Sequence, residues 1–369
     1  MEKLNICLVS VTIAPDSQDG AGKSFRGIFD YLRKQGHNVK LITGKWNIDL
    51  KDPDIIQINL VRKRFLWAPL FFLKASKYIN SYKFDIFHGN APKGTLPILI
   101  ANKKKFITTI HDLGPFETRF TKIPIEKYLI KLAVQKASMI TTVSDFVKNE
   151  INYFIPKVNI NNIFTLYNGI EDKFKPYPKE AEKLKDRLSI EGPVLLYIGR
   201  IAFYKGVDDI ITAYNIVKKT IPNINLIIGG KPDFQMEKIY NEWVTKYRDI
   251  HFVGFVPDNE IPYYYSLGDI FITYSFASEG FGLTPVEAIA CGTPVICSSM
   301  IAYKEILKDN AIYVAPKSPK QLAIEILRLL QNDFERNNLI NKAQKFIKRY
   351  TWNSVGKKLE IIYNKLLYD

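Results

Sequence analysis

The chain has 369 residues, 47% of them hydrophobic and 24% charged, a balance that is typical of globular proteins and argues against long disordered segments. This length is too great for one ordinary hydrophobic core, so we expect two domains. The net charge of +15 favours anionic partners, while four histidines and three scattered cysteines argue against a multi-histidine metal site and a disulfide framework.

The N-terminal segment is typical of the start of a doubly wound α/β sheet. Residues 5–11 (NICLVSV) predict a buried strand, periodic apolar residues predict a helix over 25–34, and a second strand is predicted over 37–43. Between the first strand and the helix lies the loop Asp19-Gly20-Ala21-Gly22-Lys23-Ser24. It is either a plain turn or a place where a phosphate or another ligand approaches the backbone. A Walker A motif would need glycine where Ser17 stands, which argues against a nucleoside triphosphatase.

Residues 62–74 (RKRFLWAPLFFLK) join basic residues to an apolar, aromatic run. The stretch from Arg62 to Lys74 is consistent with contact to an anionic membrane surface. The alternative is a buried helix with a basic, solvated start, and Pro69 interrupts the run. No uncharged apolar stretch approaches the roughly 20 residues of a membrane span, and the N-terminus is typical of a strand rather than a signal peptide. We therefore expect a cytoplasmic protein that is soluble or peripherally membrane-associated.

Two further strands, over 84–88 and 106–111, are predicted to end at His88 and His111. Ligands of open α/β sheets bind at the carboxyl ends of strands, so His111 with Asp112 is a candidate site. The alternative is that each histidine only bonds to backbone at a strand end. The other elements predicted in this part of the chain are a helix over 123–137, a strand over 139–143, a helix start at Ser144-Asp145 and a strand over 164–167.

Residues 171–193 are charged, contain prolines and one short amphipathic helix, and predict a passage between two domains. The alternation of strands and helices then restarts, which predicts a second α/β domain with its own parallel sheet. Its strands are predicted over 193–198, 224–228, 250–255, 270–274, 293–297 and 311–314, and its helices over 207–219, 262–267 and 319–330. Apolar residues spaced by three and four predict a last helix over 351–367 with one buried face.

The segment 278–293 (SEGFGLTPVEAIACGT) carries two carboxylates, Glu279 and Glu287, around a glycine-containing loop. Thr284 is predicted as the N-cap of a helix and Pro285 as its first residue. Glu287 then either completes a capping box with Thr284 or, with Glu279, accepts sugar hydroxyls beside a phosphate at the helix N-terminus.

Basic side chains follow the first strand of the second domain. Arg200 and Lys205 lie in its exit loop, and Gly229-Gly230 follow the next strand. Because parallel strands end at one edge of a sheet, we expect these cations and the helix N-terminus to converge, as a diphosphate site requires. This context favours a ligand-binding role for Glu287 over a purely structural cap.

Several segments together resemble the retaining glycosyltransferases of family 4. GRIAFYKGVDDII, HFVGFVPDNEIPYYYSLGDIFI and SEGFGLTPVEAIACGTPVI resemble the family's second domain, and TIHDLGPF, TVSDFVKNEI and LYNGIEDKFKP resemble its first. The resemblance implies the α/β GT-B fold, in which two Rossmann-like domains with parallel sheets face each other across a cleft. It implies an acceptor-side domain over 1–170, onto which a C-terminal helix over 352–369 packs, and a nucleotide-sugar-binding domain over 171–351.

The same resemblance implies a role for each matching residue. Arg200 and Lys205 would hold the donor diphosphate, Glu287 the ribose and Glu279 the donor sugar, with His111 opposite that sugar. The implied catalytic residues are thus His111, Arg200, Lys205 and Glu279. The other implied donor-binding positions are Gly20, Ala21, Gly22, Gly199, Gly229, Phe255, Val256, Gly280, Phe281, Gly282, Leu283 and Thr284. The family usually has a Gly-Gly pair where this chain has Gly20-Ala21-Gly22.

The function so implied is transfer of a hexosyl group, with retention, from a UDP- or GDP-sugar to a hydroxyl of a glycan or lipid-linked acceptor. No cofactor or metal is expected, and the sequence has no Asp-x-Asp pair suited to a Mg²⁺–diphosphate. The acceptor would attack the face that the phosphate leaves, and domain closure would bring His111 toward Glu279. The alternatives are a same-fold epimerase or phosphorylase. A nucleic-acid partner is not expected, since the cations are spread along the chain and no strand carries the exposed aromatic residues of such proteins.

Overall fold

The structure is a computed structural model that describes residues 2–17, 19–61, 66–116, 124–277 and 279–368. The chain divides into two compact units. The first consists of Met1–Gly169 with Tyr350–Asp369, and the second of Ile170–Arg349.

The first unit is built on a parallel sheet of mostly buried apolar strands. They are β1 (Asn5–Val9), β2 (Asn38–Lys45), β3 (Ile55–Asn59), β4 (Ile86–Asn90), β5 (Ile107–Ile110), β6 (Met139–Thr142) and β7 (Ile163–Thr165). The strand order is β3-β2-β1-β4-β5-β6-β7. The order reverses between β1 and β4, so a crevice is expected at the carboxyl ends of these two strands.

Helices connect these strands. They are α1 (Gly20–Lys34), α2 (Trp67–Ser81), α3 (Ala91–Ile100), α4 (Pro124–Lys136) and α5 (Asp145–Phe154). The predicted loop over Gly20, Ala21 and Gly22 is wrong, because these residues form the first turn of α1. Asp19 is the N-cap of α1, and its Oδ1 accepts from the Gly22 N–H at 2.7 Å. This side chain satisfies one of the free N–H groups of the first turn, which lets the helix begin at the glycines.

From Trp67 onward the segment 62–74 is helical, and only one face of this helix is buried. One face of α2 places Phe71, Ala75 and Ile79 in the core of the first unit. Pro69 does not interrupt the helix, because it lies in the first turn, where no backbone donor is needed. Residues 62–65, which carry the basic start, lie outside the described residues.

The second unit has its own parallel sheet. Its strands are β8 (Val194–Ile198), β9 (Asn225–Gly229), β10 (His251–Gly254), β11 (Ile270–Thr273), β12 (Val295–Ser298) and β13 (Ile312–Val314), in the order β10-β9-β8-β11-β12-β13. This order reverses between β8 and β11. The carboxyl ends of β8 and β11 therefore flank the crevice where a ligand is expected.

The helices of the second unit include several that the sequence pattern did not predict. They are α6 (Pro178–Arg187), α7 (Val207–Val217), α8 (Glu237–Lys246), α9 (Ile261–Leu267), α10 (Leu283–Ala290), α11 (Ile301–Leu307), α12 (Pro319–Gln331) and α13 (Asp333–Phe346). Helix α6 is the short helix predicted within 171–193, and it packs against α9 inside the second unit.

The last helix, α14 (Trp352–Tyr368), belongs to the first unit. It packs against α1, and its buried face contributes Val355, Leu359 and Ile362 to the core beneath the sheet. In the described part of the chain, no helix is long and apolar enough to cross a membrane.

Candidate active site

The exit of β8 places the two predicted cations. Pairing with β9 continues past the strand, since the Gly199 N–H donates to the Gly229 carbonyl at 3.0 Å. Arg200 follows, and Lys205 ends a short 3₁₀ turn over Phe203–Lys205. Gly206, with φ of 63°, then begins α7. Both cations thus lie at the carboxyl end of β8, beside the crevice.

Lys205 and Glu279 form an ion pair across that crevice. The two side chains are 19% and 9% exposed, so the pair is largely shielded from water. The Ser275 hydroxyl, which follows β11, donates to Oε1 of Glu279 at 2.7 Å. The structure therefore brings together a predicted diphosphate ligand and a predicted sugar ligand, and it adds Ser275, which the sequence pattern did not indicate.

Arg200 and Lys205 share one aromatic neighbour, Tyr204. The Arg200 guanidinium donates to the Tyr204 hydroxyl and lies 5.8 Å from the ring centroid, while Lys205 Nζ lies 5.2 Å from the same centroid. The face of the ring attracts both cations. Tyr204 thereby holds the two positive groups close together at the carboxyl end of β8.

Tyr303, from α11, supports the loop that carries Glu279. Its hydroxyl lies 2.9 Å from Thr273 Oγ1 and donates to Ser275 Oγ at 3.3 Å. Its ring packs on Gly282, where a methyl group would come within 2.5 Å of Tyr303 Cε1. Burial raises the pKa of Tyr303 well above its usual value, and the negative charge of Glu279 raises it further, so the phenol stays protonated.

Helix α10 begins earlier than predicted. Gly282, with φ of 81°, is the N-cap, and Leu283 is the first helical residue, so Thr284 is not the cap. The predicted capping box between Thr284 and Glu287 is therefore wrong: Glu287 lies beyond the first turn. Its Oε2 instead accepts from the buried Tyr265 hydroxyl at 3.0 Å. Glu287 is 6% exposed, and burial followed by the charge of Glu287 raises the pKa of Tyr265 well above its usual value.

The remaining donor-site positions of the second unit follow neighbouring strands. Gly229 ends β9, and a methyl group on it would meet Val256 at 2.9 Å. Phe255 follows β10, is 46% exposed and lies under Lys231, whose Nζ is 5.0 Å from the ring centroid. Gly280 and Phe281 are buried in the turn that leads into α10, and Leu283 and Thr284 form its first turn. All of these positions lie at the carboxyl edge of the sheet.

His111 lies at the corresponding edge of the first unit, directly after β5. Its Nε2 lies 2.6 Å from Oδ1 of Asn90, the last residue of β4. Burial lowers the pKa of His111 to about 4, although the charge of Asp19 opposes this effect. The ring is therefore neutral at physiological pH. Asn90 also reaches the carbonyl of Ala21 in the first turn of α1, which connects His111 to the glycine-containing turn.

His88 is not a site residue. Strand β4 runs on to Asn90, so His88 lies inside the strand with both ring nitrogens bonded, to Tyr363 at 2.8 Å and to Thr109 at 2.7 Å. Residues missed by the sequence pattern are Asn90, Tyr204, Tyr265, Ser275 and Tyr303. Asn90, Tyr265 and Tyr303 act through contacts with distant parts of the chain, which no local pattern reports. Tyr204 and Ser275 contact site residues within four positions of themselves. Among the described residues, no group of three His, Cys, Asp or Glu side chains could hold a metal ion.

Comparison with known proteins identifies the family. The model described as "Glycosyltransferase Family 4" matches residues 18–174, and the model described as "Glycosyl transferases group 1" matches residues 179–346. Together the two models account for most of both units. The chain belongs to glycosyltransferase family 4, and it is a glycosyltransferase of the GT-B type.

Relatives and solved structures agree with this assignment. The chain is 28% identical to the O-antigen chain mannosyltransferase B of Escherichia coli, over 75% of this chain and 73% of that protein. It is 25% identical to the alpha-monoglucosyldiacylglycerol synthase of Acholeplasma laidlawii, over 91% of each chain. Similar folds are found in the sucrose-phosphate synthase of Thermosynechococcus elongatus (TM-score 0.83, 21% identity, 99% of each chain). They are also found in Anabaena HepE in complex with UDP-glucose (TM-score 0.82, 17% identity, 98% and 100% of the chains).

Proposed function

We propose that this enzyme transfers a hexosyl group, with retention of configuration, from a UDP- or GDP-sugar to a hydroxyl of a glycan or lipid-linked acceptor. The observation that carries the proposal is the cluster of Arg200, Lys205 and Glu279 at the strand-order reversal of the second unit, with Glu287 on the adjacent helix. Relatives named as a mannosyltransferase and a monoglucosyldiacylglycerol synthase, and a fold neighbour solved with UDP-glucose, support this choice of donor and acceptor.

In this proposal each charged group has a definite task. Arg200 and Lys205 bind the donor diphosphate, Glu287 accepts from the ribose hydroxyls, and Glu279 accepts from the donor sugar. The turn from Gly280 to Thr284, with Gly199 and Gly229, lets the backbone approach the donor, and Phe255 and Val256 flank the base. The first unit is proposed to supply His111, opposite the donor sugar, and the Gly20-Ala21-Gly22 turn as a further donor-binding element.

In the proposed reaction the bond between the anomeric carbon and the phosphate oxygen breaks, a bond to the acceptor oxygen forms, and one proton is transferred. The acceptor oxygen bonds to the anomeric carbon on the face from which the phosphate leaves, and the departing phosphate oxygen takes the acceptor's proton. Arg200 and Lys205 stabilise the charge that develops on the diphosphate, a preorganised electrostatic effect that needs no metal ion. We expect full activity after dialysis against EDTA. A loss of activity that Mg²⁺ or Mn²⁺ restores would contradict this part of the proposal.

The donor site can be tested by thermal shift and kinetics together. UDP, GDP and their sugars are screened first, because a ligand that binds the folded state raises the melting midpoint. In Lys205→Ala and Glu287→Ala, affinity for the preferred nucleotide should fall about 10-fold to 100-fold, the cost of one charge-assisted contact. Lys218→Ala is the matched control, since Lys218 forms an exposed ion pair with Asp249 at the far end of α7. Unchanged binding and transfer in both site variants would overturn the proposal.

The reaction class needs a second measurement. Free nucleoside diphosphate should appear only when an acceptor is present, and proton NMR of the first product should show the anomeric configuration of the donor. Conversion of the donor sugar without an acceptor would indicate an epimerase instead. Consumption of inorganic phosphate would indicate a phosphorylase.

We further propose that the protein is cytoplasmic and meets an anionic membrane through the segment Arg62–Lys74. The face of α2 opposite the core exposes Leu73, at 63%, beside Lys74. Such a face is suited to the headgroup region of a bilayer that carries a lipid-linked acceptor. Co-sedimentation with vesicles of phosphatidylcholine and phosphatidylglycerol should increase at low salt and fall in Leu73→Glu. Absence of binding at low salt would remove this contact.

A further inference from the structure

Asn90 lies at the start of α3 but does not cap this helix with its side chain. It is the N-cap of α3, where an asparagine side chain usually accepts a hydrogen bond from the first turn of its own helix. Asn90 makes no such capping bond. The next residue, Ala91, has φ of 56°, a left-handed conformation that costs a residue with a side chain about 1 to 2 kcal/mol. At this point the helix start lacks a side-chain cap and is followed by a strained residue, so the polar atoms of Asn90 are available for contacts outside α3.

The side chain is instead held at three points. Its Nδ2 donates to Ser10 Oγ at 2.8 Å and to the Ala21 carbonyl at 3.2 Å, and its Oδ1 lies 2.6 Å from Nε2 of His111. Asn90 is 4% exposed and Ser10 is 1% exposed, so water does not compete for these bonds. This one amide, at the end of β4, joins Ser10, which follows β1, to His111, which follows β5.

These contacts determine where the protons are. A backbone carbonyl can only accept, so the group of Asn90 that faces Ala21 must be the NH₂ group. Oδ1 must then be the atom that faces His111, and it can only accept. Ser10 is consistent with this orientation, because its own proton is donated to the Thr12 carbonyl at 2.5 Å, which leaves its oxygen to accept from Asn90. Nε2 of His111 therefore carries a proton.

The charges around the ring leave a single neutral form near pH 7. Burial lowers the pKa of His111 to about 4; Asp19, at the N-cap of α1, acts in the opposite direction. The neighbouring His88 on β4 is itself neutral, since burial lowers its pKa to about 3. With the proton on Nε2, Nδ1 is a bare acceptor, and within the described part of the chain it makes no hydrogen bond.

We infer that Asn90 is a positioning residue that locks His111 in the Nε2–H tautomer, so that Nδ1 is offered to the substrate as a hydrogen-bond acceptor for a sugar or acceptor hydroxyl. The step that involves substrate rests on the proposed function, whereas the tautomer does not. Such an acceptor orients a hydroxyl and withdraws its proton toward the ring, without requiring the ring to become charged.

The tautomer can be measured in the wild-type chain without any activity. The protein has four histidines, so ¹⁵N-labelled histidine yields four imidazole signals, and His111→Gln identifies the relevant one. Long-range ¹H–¹⁵N spectra at pH 7 should show a neutral His111 with its proton on Nε2. A proton on Nδ1, a mixture of tautomers or a charged ring would overturn the inference, whether or not the enzyme transfers sugars.

Asn90→Asp tests the consequence for catalysis. The carboxylate keeps an acceptor for Nε2 but places a negative charge beside the ring, which stabilises imidazolium and should raise the pKa of His111 into the neutral range. At pH 7 kcat should then fall about 10-fold to 100-fold, as is usual for a misplaced catalytic group, and should recover at higher pH. The same titration should appear in the NMR signal of His111, while nucleotide affinity in the second unit stays unchanged.

A purely structural role would produce a different result. It would lower the melting midpoint and reduce kcat equally at every pH, and that outcome would overturn the inference. The matched control is Asn168→Asp, a buried asparagine of the same unit that accepts from Ser24 Oγ at 2.6 Å. It should leave the titration of His111 as in the wild type. If Asn90→Asp does not fold, the wild-type spectra still decide the tautomer. If no sugar transfer is found, the proposed function fails, and the NMR spectra still decide the tautomer of His111.

Discussion

At the scale of single residues, the proposed donor site contains an internal ion pair. Lys205 is paired with Glu279, and Ser275 donates to the same carboxylate oxygen. Under the proposed function, a diphosphate would compete with Glu279 for Lys205 and would lie close to a carboxylate of like charge. After Lys205 turned to the phosphates, Glu279 could accept from sugar hydroxyls. An exchange of ion-pair partners would then couple binding of the diphosphate to placement of the sugar.

Replacing Glu279 by glutamine should separate these two effects. Glu279→Gln removes both the competition and the repulsion, so UDP or GDP without a sugar should bind about 3-fold to 10-fold more tightly. Transfer should become slower, because the amide is a weaker acceptor for the sugar. Isothermal titration and kcat measure the two changes. Asp249→Asn, which opens the exposed pair with Lys218, should change neither. Weaker nucleotide binding in Glu279→Gln would contradict the competition.

A second residue-scale prediction concerns acid stability. Burial lowers the pKa of His88 from the usual 6.5 to about 3. Between these values the unfolded chain binds a proton that the folded chain does not, so this contribution to stability is fully present above pH 6.5 and is lost as the pH falls toward 3. The loss should be on the order of 3 kcal/mol at pH 4.

His88→Gln, which retains hydrogen-bonding groups toward Tyr363 and Thr109, should therefore lose less free energy of unfolding between pH 7 and pH 4 than the wild type. Urea titrations at both pH values provide the comparison. His251→Gln is the control, since His251 is only partly buried and its pKa is lowered by burial without so large a shift. Equal losses in wild type and His88→Gln would show that His88 does not titrate as described.

At the scale of elements, two glycines show how the turns of the second unit are constrained. Gly206 and Gly254 have φ of 63° and 64°, so both are left-handed. A methyl group on Gly206 would come within 2.6 Å of the Tyr274 carbonyl, whereas one on Gly254 would have no atom of the described chain within 4 Å. The two glycines share a left-handed φ and differ in the room available for a side chain. Gly206 also ends the turn that carries Lys205.

Gly254→Ala should therefore cost only the conformational penalty, about 1 kcal/mol. Gly206→Ala should cost at least about 2 kcal/mol more, because backbone must move, and it should also weaken nucleotide binding by displacing Lys205. Chemical denaturation and thermal shift with UDP or GDP measure both. Equal costs for the two variants would contradict the close approach of Gly206 to Tyr274.

Much of the layout of these elements could be predicted from the sequence. Continuous apolar runs such as residues 194–198 mark buried strands, and strand ends locate Arg200, Lys205 and His111 because all parallel strands finish at one edge. The start of α10 could not be read in the same way. Thr284-Pro285 is a good local signal, but the cap is Gly282, a left-handed residue over which the ring of Tyr303, distant in sequence, packs. Tertiary contacts outweigh local preference there.

The missed helices have a related cause. Helix α8 was missed although Tyr240, Trp243 and Tyr247 recur at helical spacing and pack on the core of the second unit; none of its residues is fully buried. In α1 the glycines predicted a loop, but the Asp19 carboxylate caps a helix that begins at them. The contacts of Asn90 and Tyr265 likewise depend on residues that only the folded chain brings near.

At the scale of the whole molecule, each unit has its own core, and the first is completed by the end of the chain. Trp352, the first residue of α14, packs on two glycines: a methyl group would come within 2.0 Å of its ring on Gly27 and within 2.4 Å on Gly169. Tyr167 and Tyr350 pack edge to face nearby, with ring centroids 5.5 Å apart. These contacts attach α14 where the chain leaves the first unit and returns to it.

Trp352→Ala should destabilise the first unit by about 3 kcal/mol, since the two glycines offer no side chain to fill the space. Hydrogen exchange followed by mass spectrometry should show faster exchange in α1 and α14, with the second unit and its nucleotide affinity unchanged. Phe334→Ala, at a position on α13 that is 77% exposed, should be nearly neutral. Unaltered exchange in α14 would show that Trp352 does not secure this helix.

The return of α14 to the first unit has a consequence on the ribosome. Tyr363 bonds to His88 at 2.8 Å, so the buried polar centre of the first sheet lacks a member until the last helix has been synthesised. Translation at about 5 to 20 residues per second leaves the first 169 residues incomplete for roughly 10 to 40 s while Ile170–Arg349 is made. During that interval the second unit can fold independently, whereas the apolar side chains that α14 covers in the folded first unit are exposed to chaperones.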